Sequence, residues 1–213
     1  MKFILTYDGE LGSNKGPASK WKIREQFHPQ LDALWQNNPS LKSALINRHI
    51  PKTGMFIPGT RNPADPESRR TIARGATPVD DIDLCEPIEM CGRKFIPLVR
   101  DSYKLTCSLK INFLRHDPPG KIYQGDLDNR IKTLFDALTI PKHPEQMQKL
   151  PTDIPDPTYC LLEDDSLITG FDIDTQQLWA LPTNASRNYV RLTITVDIRL
   201  TESLLYNHHF LGG

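Results

Sequence analysis

Two long stretches of strict alternation constrain the fold of this chain more than any other feature. Every second residue is apolar between residues 103 and 113, and residues 189–200 repeat the pattern. A period of two places alternate side chains on opposite faces of a β-strand, so both stretches predict strands with one buried face. Residues 2–8 and 166–174 alternate less strictly and predict two further strands.

Helical periodicity separates these predicted strands. Residues 19–37 predict a long helix capped by Ser19, and residues 40–48 predict a shorter one. In residues 127–138 the apolar side chains recur on one helical face. Helices and strands intermix without repeated strand–helix–strand units. We therefore expect an α+β fold, a small mixed β-sheet packed by helices with inserted loops.

The length of 213 residues suits a single domain spanning residues 1–213. Two segments without a sustained period, 51–93 and the Pro-rich 141–160, are expected to be insertions into that domain. Four scattered cysteines do not predict a disulfide scaffold. With no long apolar run and no secretory signal pattern, the sequence predicts a cytoplasmic protein without a membrane partner.

The formal net charge is zero, but the charge is unevenly distributed along the chain. Residues 1–75 carry twelve basic and six acidic side chains, whereas residues 151–213 carry three and nine. The basic third can contact phosphates and the acidic third can supply metal ligands; alternatively, the charges pair with one another or face water. The candidate nucleic-acid contacts are Lys15, Arg61, Arg69, Arg70, Arg115, Lys121 and Arg130.

Residues 126–138 carry the most specific chemistry. Asp126 is a natural N-cap, which places Asp128 in the first helical turn, where the helix dipole favours an ionised carboxylate. Two carboxylates so close repel each other, and a divalent cation such as Mg²⁺ or Mn²⁺ relieves the repulsion. Lys132, one turn after Asp128, can bind a phosphate. In the alternative interpretation, Asp126 only caps the helix, while Asp128, Lys132 and Asp136 form a ladder of ion pairs.

A second acidic cluster, Glu163-Asp164-Asp165, opens the third predicted strand. If the helix packs beside this strand, Asp126, Asp128 and Asp165 (or Asp164) surround one cation, with room for a second nearby. Such a centre fits metal-assisted phosphodiester hydrolysis, in which the metal activates water and neutralises the scissile phosphate.

These two segments resemble the RusA family of Holliday-junction resolvases. The family pattern is Asp-x-Asp-Asn, two residues, Lys, then Asp-Ala-Leu and a downstream Asp-Asp pair. The chain reads Asp-Leu-Asp-Asn-Arg-Ile-Lys-Thr-Leu-Phe-Asp-Ala-Leu at 126–138 and Asp-Asp-Ser-Leu-Ile at 164–168. The resemblance covers residues 100–199 well and 1–37 loosely. The chain departs from the family in its two insertions and in fewer basic residues before the motif.

The resemblance implies a RusA-like homodimer that cuts branched DNA such as Holliday junctions with Mg²⁺, for which Mn²⁺ substitutes, and without an organic cofactor. The family's metal ligands fall on Asp126, Asp128 and Asp165, and its catalytic lysine falls on Lys132. Asp164 is the other acid of the downstream pair. Two alternatives stay open: a nuclease of a phage or defence system that acts on other DNA structures, and a non-catalytic DNA-binding module on the same fold.

Overall fold

Three helices and several short and long strands make up the part of the chain that the structure describes. The structure, a computed structural model, describes residues 1–13, 16–51, 81–116, 127–147, 154–183, 185–186, 188–204 and 206–212. The helices are α1 (Pro17–Asn37), α2 (Pro39–Ile46) and α3 (Leu127–Leu138). The strands are β1 (Lys2–Glu10), β2 (His49–Pro51), β3 (Asp81–Asp83), β4 (Ile88–Met90), β5 (Arg93–Val99), β6 (Leu105–Arg115), β7 (Thr158–Leu162), β8 (Ile168–Gln177) and β9 (Tyr189–Leu200). This composition is the α+β class that the sequence predicts.

The largest sheet has four strands in the order β1-β9-β6-β8. β9 pairs antiparallel with β1 and β6, whereas β8 pairs parallel with β6. Ile111 lies opposite Ile194 of β9 and Ile173 of β8, so the alternating apolar side chains of neighbouring strands share one face. The strand predicted over 189–200 is confirmed end to end. β6 begins two residues later than predicted because the chain turns at Lys104, whose φ is 56°.

Helix α1 packs against the apolar face of this sheet. Phe27 lies against Tyr7 of β1, with ring centroids 6.0 Å apart. The helix begins two residues earlier than predicted because Pro17 occupies its first turn, where a missing N–H costs nothing. Gly16 is the N-cap residue and no side chain among the described residues caps the helix; Ser19 lies inside its first turn, so the prediction that Ser19 caps it is wrong. The side chains of α1 that are buried are Trp21, Ile23, Arg24, Phe27, Leu31 and Trp35.

A second sheet, β4-β5-β7, is formed by residues that the sequence did not predict to be strands. β5 and β7 are parallel, with Val99 opposite Leu162. Both are short apolar runs without alternation, a pattern that does not separate strand from helix. Parts of the segments 51–93 and 141–160 therefore contribute strands to the fold.

The apolar interior consists of two clusters. The larger one fills the space between the four-stranded sheet and the helices. The smaller cluster joins α1 to β5 and β7 through Trp21, Phe95, Ile140, Ile154 and Cys160.

All four cysteines are free thiols, in agreement with the predicted lack of a disulfide scaffold. Within the described ranges, no helix has the length and apolar character needed to cross a membrane.

Candidate functional site

Helix α3 carries the central motif and has the predicted bounds, residues 127–138. Its apolar face is buried through Ile131, Leu134 and Leu138. Asp128 and Lys132, one turn apart, are exposed to solvent on the opposite side. The helix therefore presents a carboxylate and an ammonium group to any molecule that approaches this surface. Asp126, the predicted N-cap and metal ligand, lies outside the described residues.

The C-terminal end of α3 is held by two basic side chains of α1. Arg24, which is buried, donates from Nη2 to the carbonyl oxygen of Asp136 at 2.6 Å. The Lys20 ammonium lies 2.6 Å from the Asp136 carboxylate. Ion pairs among the described residues include neither Asp128 with Lys132 nor Lys132 with Asp136. The alternative ladder along α3 is therefore not formed, and Asp136 serves to join the two helices.

The second acidic cluster follows the C-terminal end of β7 and precedes β8. Glu163 contacts a different segment from its neighbours: its Oε2 accepts a hydrogen bond from the backbone N–H of Asp101 at 3.2 Å. Asp164 caps the short 3-10 turn that leads into β8, with Oδ1 accepting from the N–H of Ser166 at 2.8 Å. Asp164 and Asp165 are each about two-fifths exposed, at 42% and 43% of their side-chain surface. We call these two residues the acid pair.

The ammonium group of Lys142 lies between the two carboxylates of the acid pair. Its Nζ atom is 2.7 Å from Oδ2 of Asp164 and 2.6 Å from Oδ1 of Asp165. Hydrogen bonds from Lys142 and from Ser166 hold the pKa of Asp164 well below its ordinary value. Burial alone lowers the pKa of Lys142, but the hydrogen bonds with both aspartates raise it above its ordinary value. The acid pair is thus arranged around a single positive charge.

Backbone pairing brings Lys142 to this position. Thr139, directly after α3, forms a parallel bridge with Leu162 at the end of β7, and the N–H of Ile140 donates to the Leu162 carbonyl at 3.0 Å. The two segments run in the same direction from that bridge. Lys142 is three residues beyond Thr139, and Asp165 is three residues beyond Leu162, so the two side chains meet.

The acid pair and the start of α3 lie at different ends of that helix. Asp128 precedes Leu138 by ten residues, which corresponds to about 15 Å along the helix axis. Near Asp128, Arg130 donates from Nη2 to Oδ1 of Asn188, just before β9, at 3.0 Å. Among the residues that the structure describes, no three His, Cys, Asp or Glu side chains are close enough to hold a metal ion together. Asp126 lies outside the described residues, so the convergence of Asp126, Asp128 and Asp165 on one cation stays a prediction.

Two of the predicted nucleic-acid contacts are described by the structure, and neither is a simple surface residue. Arg115 continues the inward-facing set of β6 and is only 7% exposed, so little of its side chain faces solvent. Arg130 is partly buried and joins α3 to the segment before β9. The other predicted contacts lie outside the described residues: Lys15, Arg61, Arg69, Arg70 and Lys121.

Lys142 is the site residue that sequence reasoning missed. It lies in the Pro-rich segment that resembled an insertion, and its distance from the acid pair along the chain is more than twenty residues. The sequence offers only a weak signal: a basic residue follows the motif helix closely, and two aspartates follow the next strand along the chain.

Comparison of the chain with protein-family models, with curated proteins and with solved structures gave no match. The resemblance to the RusA family therefore stays a prediction that depends on the motif residues.

Proposed function

We propose that this protein is a Mg²⁺-dependent, structure-selective endonuclease that hydrolyses phosphodiester bonds in branched DNA such as Holliday junctions. The observation that carries the proposal is the convergence of the Asp164 and Asp165 carboxylates on one positive charge, the Lys142 ammonium, beside the motif helix α3. The sequence pattern shared with the RusA family supports the choice of substrate. Because a four-way junction is two-fold symmetric, paired cuts need two copies of the site, as in a homodimer.

The donor set of the acid pair suits a divalent ion. Mg²⁺ and Mn²⁺ take hard oxygen ligands, and Mg²⁺ commonly uses one or two carboxylates together with waters and a substrate phosphate. Asp164 and Asp165 already direct one oxygen each at the same positive charge. They would hold the ion, and the ion supplies Lewis acidity and charge neutralisation at the scissile phosphate. Asp126 stays a predicted ligand.

The exposed face of α3 supplies the remaining groups. Lys132 is exposed and has a flexible side chain, so its ammonium can bind a phosphate oxygen and stabilise the negative charge that develops during hydrolysis. Asp128 lies one turn earlier on the same surface. Since Asp128 lies in the first turn of α3 and the acid pair lies beyond its last turn, the role of Asp128 is tested separately from that of Asp165.

The experiment that tests this function is a cleavage panel with the full chain. Labelled four-way junctions, forks, flaps, single strands and linear duplexes of one sequence are incubated with Mg²⁺, with Mn²⁺ and with a chelator. We expect metal-dependent cutting of the four-way junction and little cutting of the linear duplex.

The panel also separates the alternatives. Cutting of flaps, forks or single strands in preference to junctions would favour a nuclease acting on other DNA structures. Metal-independent binding of branched DNA without any cutting would favour a non-catalytic module. Neither binding nor cutting of any member of the panel would overturn the proposal.

A further inference from the structure

The position between Asp164 and Asp165 is filled by the side chain of Lys142. The ammonium contacts Oδ2 of Asp164 and Oδ1 of Asp165 at 2.7 and 2.6 Å, which are short, charge-assisted distances. The other carboxylate oxygen of Asp164 already accepts a hydrogen bond from the N–H of Ser166. Both oxygens of Asp164 therefore accept hydrogen bonds. A metal ion that binds Oδ2 of this carboxylate must displace the Lys142 ammonium.

The backbone near Lys142 is fixed, whereas its side chain is able to leave. Its N–H donates to Oε1 of Gln146 at 3.0 Å. Two residues earlier, the N–H of Ile140 donates to the carbonyl of Leu162 in β7. The Lys142 side chain is 35% exposed, so its ammonium can swing into solvent or toward a phosphate without unfolding this segment. The backbone of Lys142 is thus held beside the acid pair, while its side chain is free to change conformation.

A divalent ion and an ammonium group cannot share these oxygens at contact distance. A metal ion bound to Oδ2 of Asp164 would stand within a few ångströms of Nζ of Lys142, and the repulsion between the two cations would be strong in a partly buried site. Replacing the ammonium by a divalent ion neutralises both carboxylates of the acid pair, whereas binding both cations would leave an excess of positive charge there.

We propose that Lys142 competes with the divalent ion for Asp164 and Asp165, and so sets the metal affinity of the site. This inference rests on the proposed function, because it takes the acid pair as the metal site. In the metal-free protein Lys142 neutralises the repulsion between the carboxylates. When the ion binds, Nζ withdraws from both oxygens.

The test is a Mn²⁺ titration of the full chain, followed by the electron paramagnetic resonance signal of unbound Mn²⁺. The variants are Lys142→Gln, which removes the competing charge, and Lys142→Arg, which keeps it. Lys42→Gln is the matched control, since it removes one positive charge from an exposed position of α2.

We expect Lys142→Gln to bind Mn²⁺ about three- to tenfold more tightly than the native chain, because two partly exposed ion pairs no longer oppose binding. Lys142→Arg and Lys42→Gln should stay within about twofold of the native affinity.

The outcomes separate this inference from the proposed function. Equal affinity of the native chain and Lys142→Gln would overturn the competition while leaving the metal site in place. An equal gain in Lys42→Gln would also overturn it, because the effect would then be one of overall charge. Failure of all variants to bind Mn²⁺ would overturn the proposed function and the competition with it.

A second measurement is the anomalous scattering of Mn²⁺ in crystals of the native protein. Competition predicts a peak between the carboxylates of Asp164 and Asp165, with Nζ of Lys142 beyond hydrogen-bonding distance of both. A peak at that position with Lys142 still bound to both carboxylates would contradict the inference.

Discussion

The buried guanidinium of Arg24 in α1 binds the carbonyl oxygens at the end of α3, donating from Nη2 to Asp136 at 2.6 Å and from Nε to Thr139 at 3.0 Å. The last carbonyls of a helix have no partners within it, and a cation at that end also interacts favourably with the helix dipole. Thr139 is the residue that pairs with the end of β7. Arg24 therefore stabilises the junction from which Lys142 reaches the acid pair.

Substitution Arg24→Met should lower the free energy of unfolding by about 2–4 kcal/mol, because it removes the buried donor to the Thr139 carbonyl and one of the two donors to the Asp136 carbonyl. Urea denaturation followed by circular dichroism measures this change. Lys20→Met is the matched control: it breaks the ion pair with Asp136 at a more accessible position and should cost about 1 kcal/mol or less. Equal losses in the two variants would show that Arg24 acts only as a charge.

Substitution Asp165→Asn should reduce metal-dependent junction cleavage by about a hundredfold or more, since it removes a charged ligand of the proposed metal site. Asp165 is preferred to Asp164 because the latter also caps the turn before β8. Gel assays of cleavage, with band-shift assays of DNA binding, give the two readouts. Asp172→Asn, an exposed acid of β8, is the control and should cut normally. Full cleavage by Asp165→Asn would remove this residue from the site.

Substitution Asp128→Asn should leave Mn²⁺ affinity without DNA within about twofold of the native value, whereas Asp165→Asn should weaken it about tenfold or more. The reason is that Asp128 lies in the first turn of α3, whereas the acid pair follows the strand end that pairs with Thr139, directly after the last turn. Isothermal titration calorimetry measures both affinities. A loss of equal size in the two variants would instead support the convergence on one ion that the sequence predicts.

Substitution Lys132→Gln should reduce the cleavage rate by about a hundredfold or more with no change in Mn²⁺ affinity, because an exposed ammonium stabilises charge at the phosphate and is not a metal ligand. Single-turnover kinetics measure the rate, and thermal denaturation should show an unchanged melting temperature since the side chain is exposed. Unchanged kinetics would refute a role for Lys132 in the reaction, and Lys132→Arg should retain part of the rate.

The stability of the fold should fall as the pH drops below the ordinary histidine range. Burial lowers the pKa of His28, against a smaller opposing effect of Asp32, and its Nδ1 accepts a hydrogen bond from the N–H of Tyr159 at 2.9 Å. A lowered folded-state pKa contributes stability above the unfolded value of about 6.5, and this contribution is lost as the pH falls through it toward the folded value.

Melting temperatures measured between about pH 7 and pH 5 check this dependence. The variant His28→Asn keeps an acceptor for the Tyr159 N–H but does not titrate, so its melting temperature should decline less over the same range. Parallel declines in the native chain and the variant would assign the pH dependence to other groups.

Regular periodicity explains which parts of the fold were predictable. The bounds of α3 and β9 agree with the sequence to the residue because their apolar patterns run over three turns and twelve residues, respectively. The same alternation also places Arg115 on the buried face of β6, although sequence reasoning assigned it to DNA. β5 and β7 were not predicted because short apolar runs have no period. They become strands by pairing with each other, which a local pattern does not show.

The sequence by itself determined the α+β class, the amphipathic motif helix and the presence of two acidic clusters, since these depend on local spacing and side-chain chemistry. The tertiary structure alone decided which charges meet. The parallel bridge between Thr139 and Leu162 brings Lys142 to Asp164 and Asp165 and leaves Asp128 at the far end of α3. Pairings between residues distant along the chain depend on how whole segments pack, and no local pattern records them.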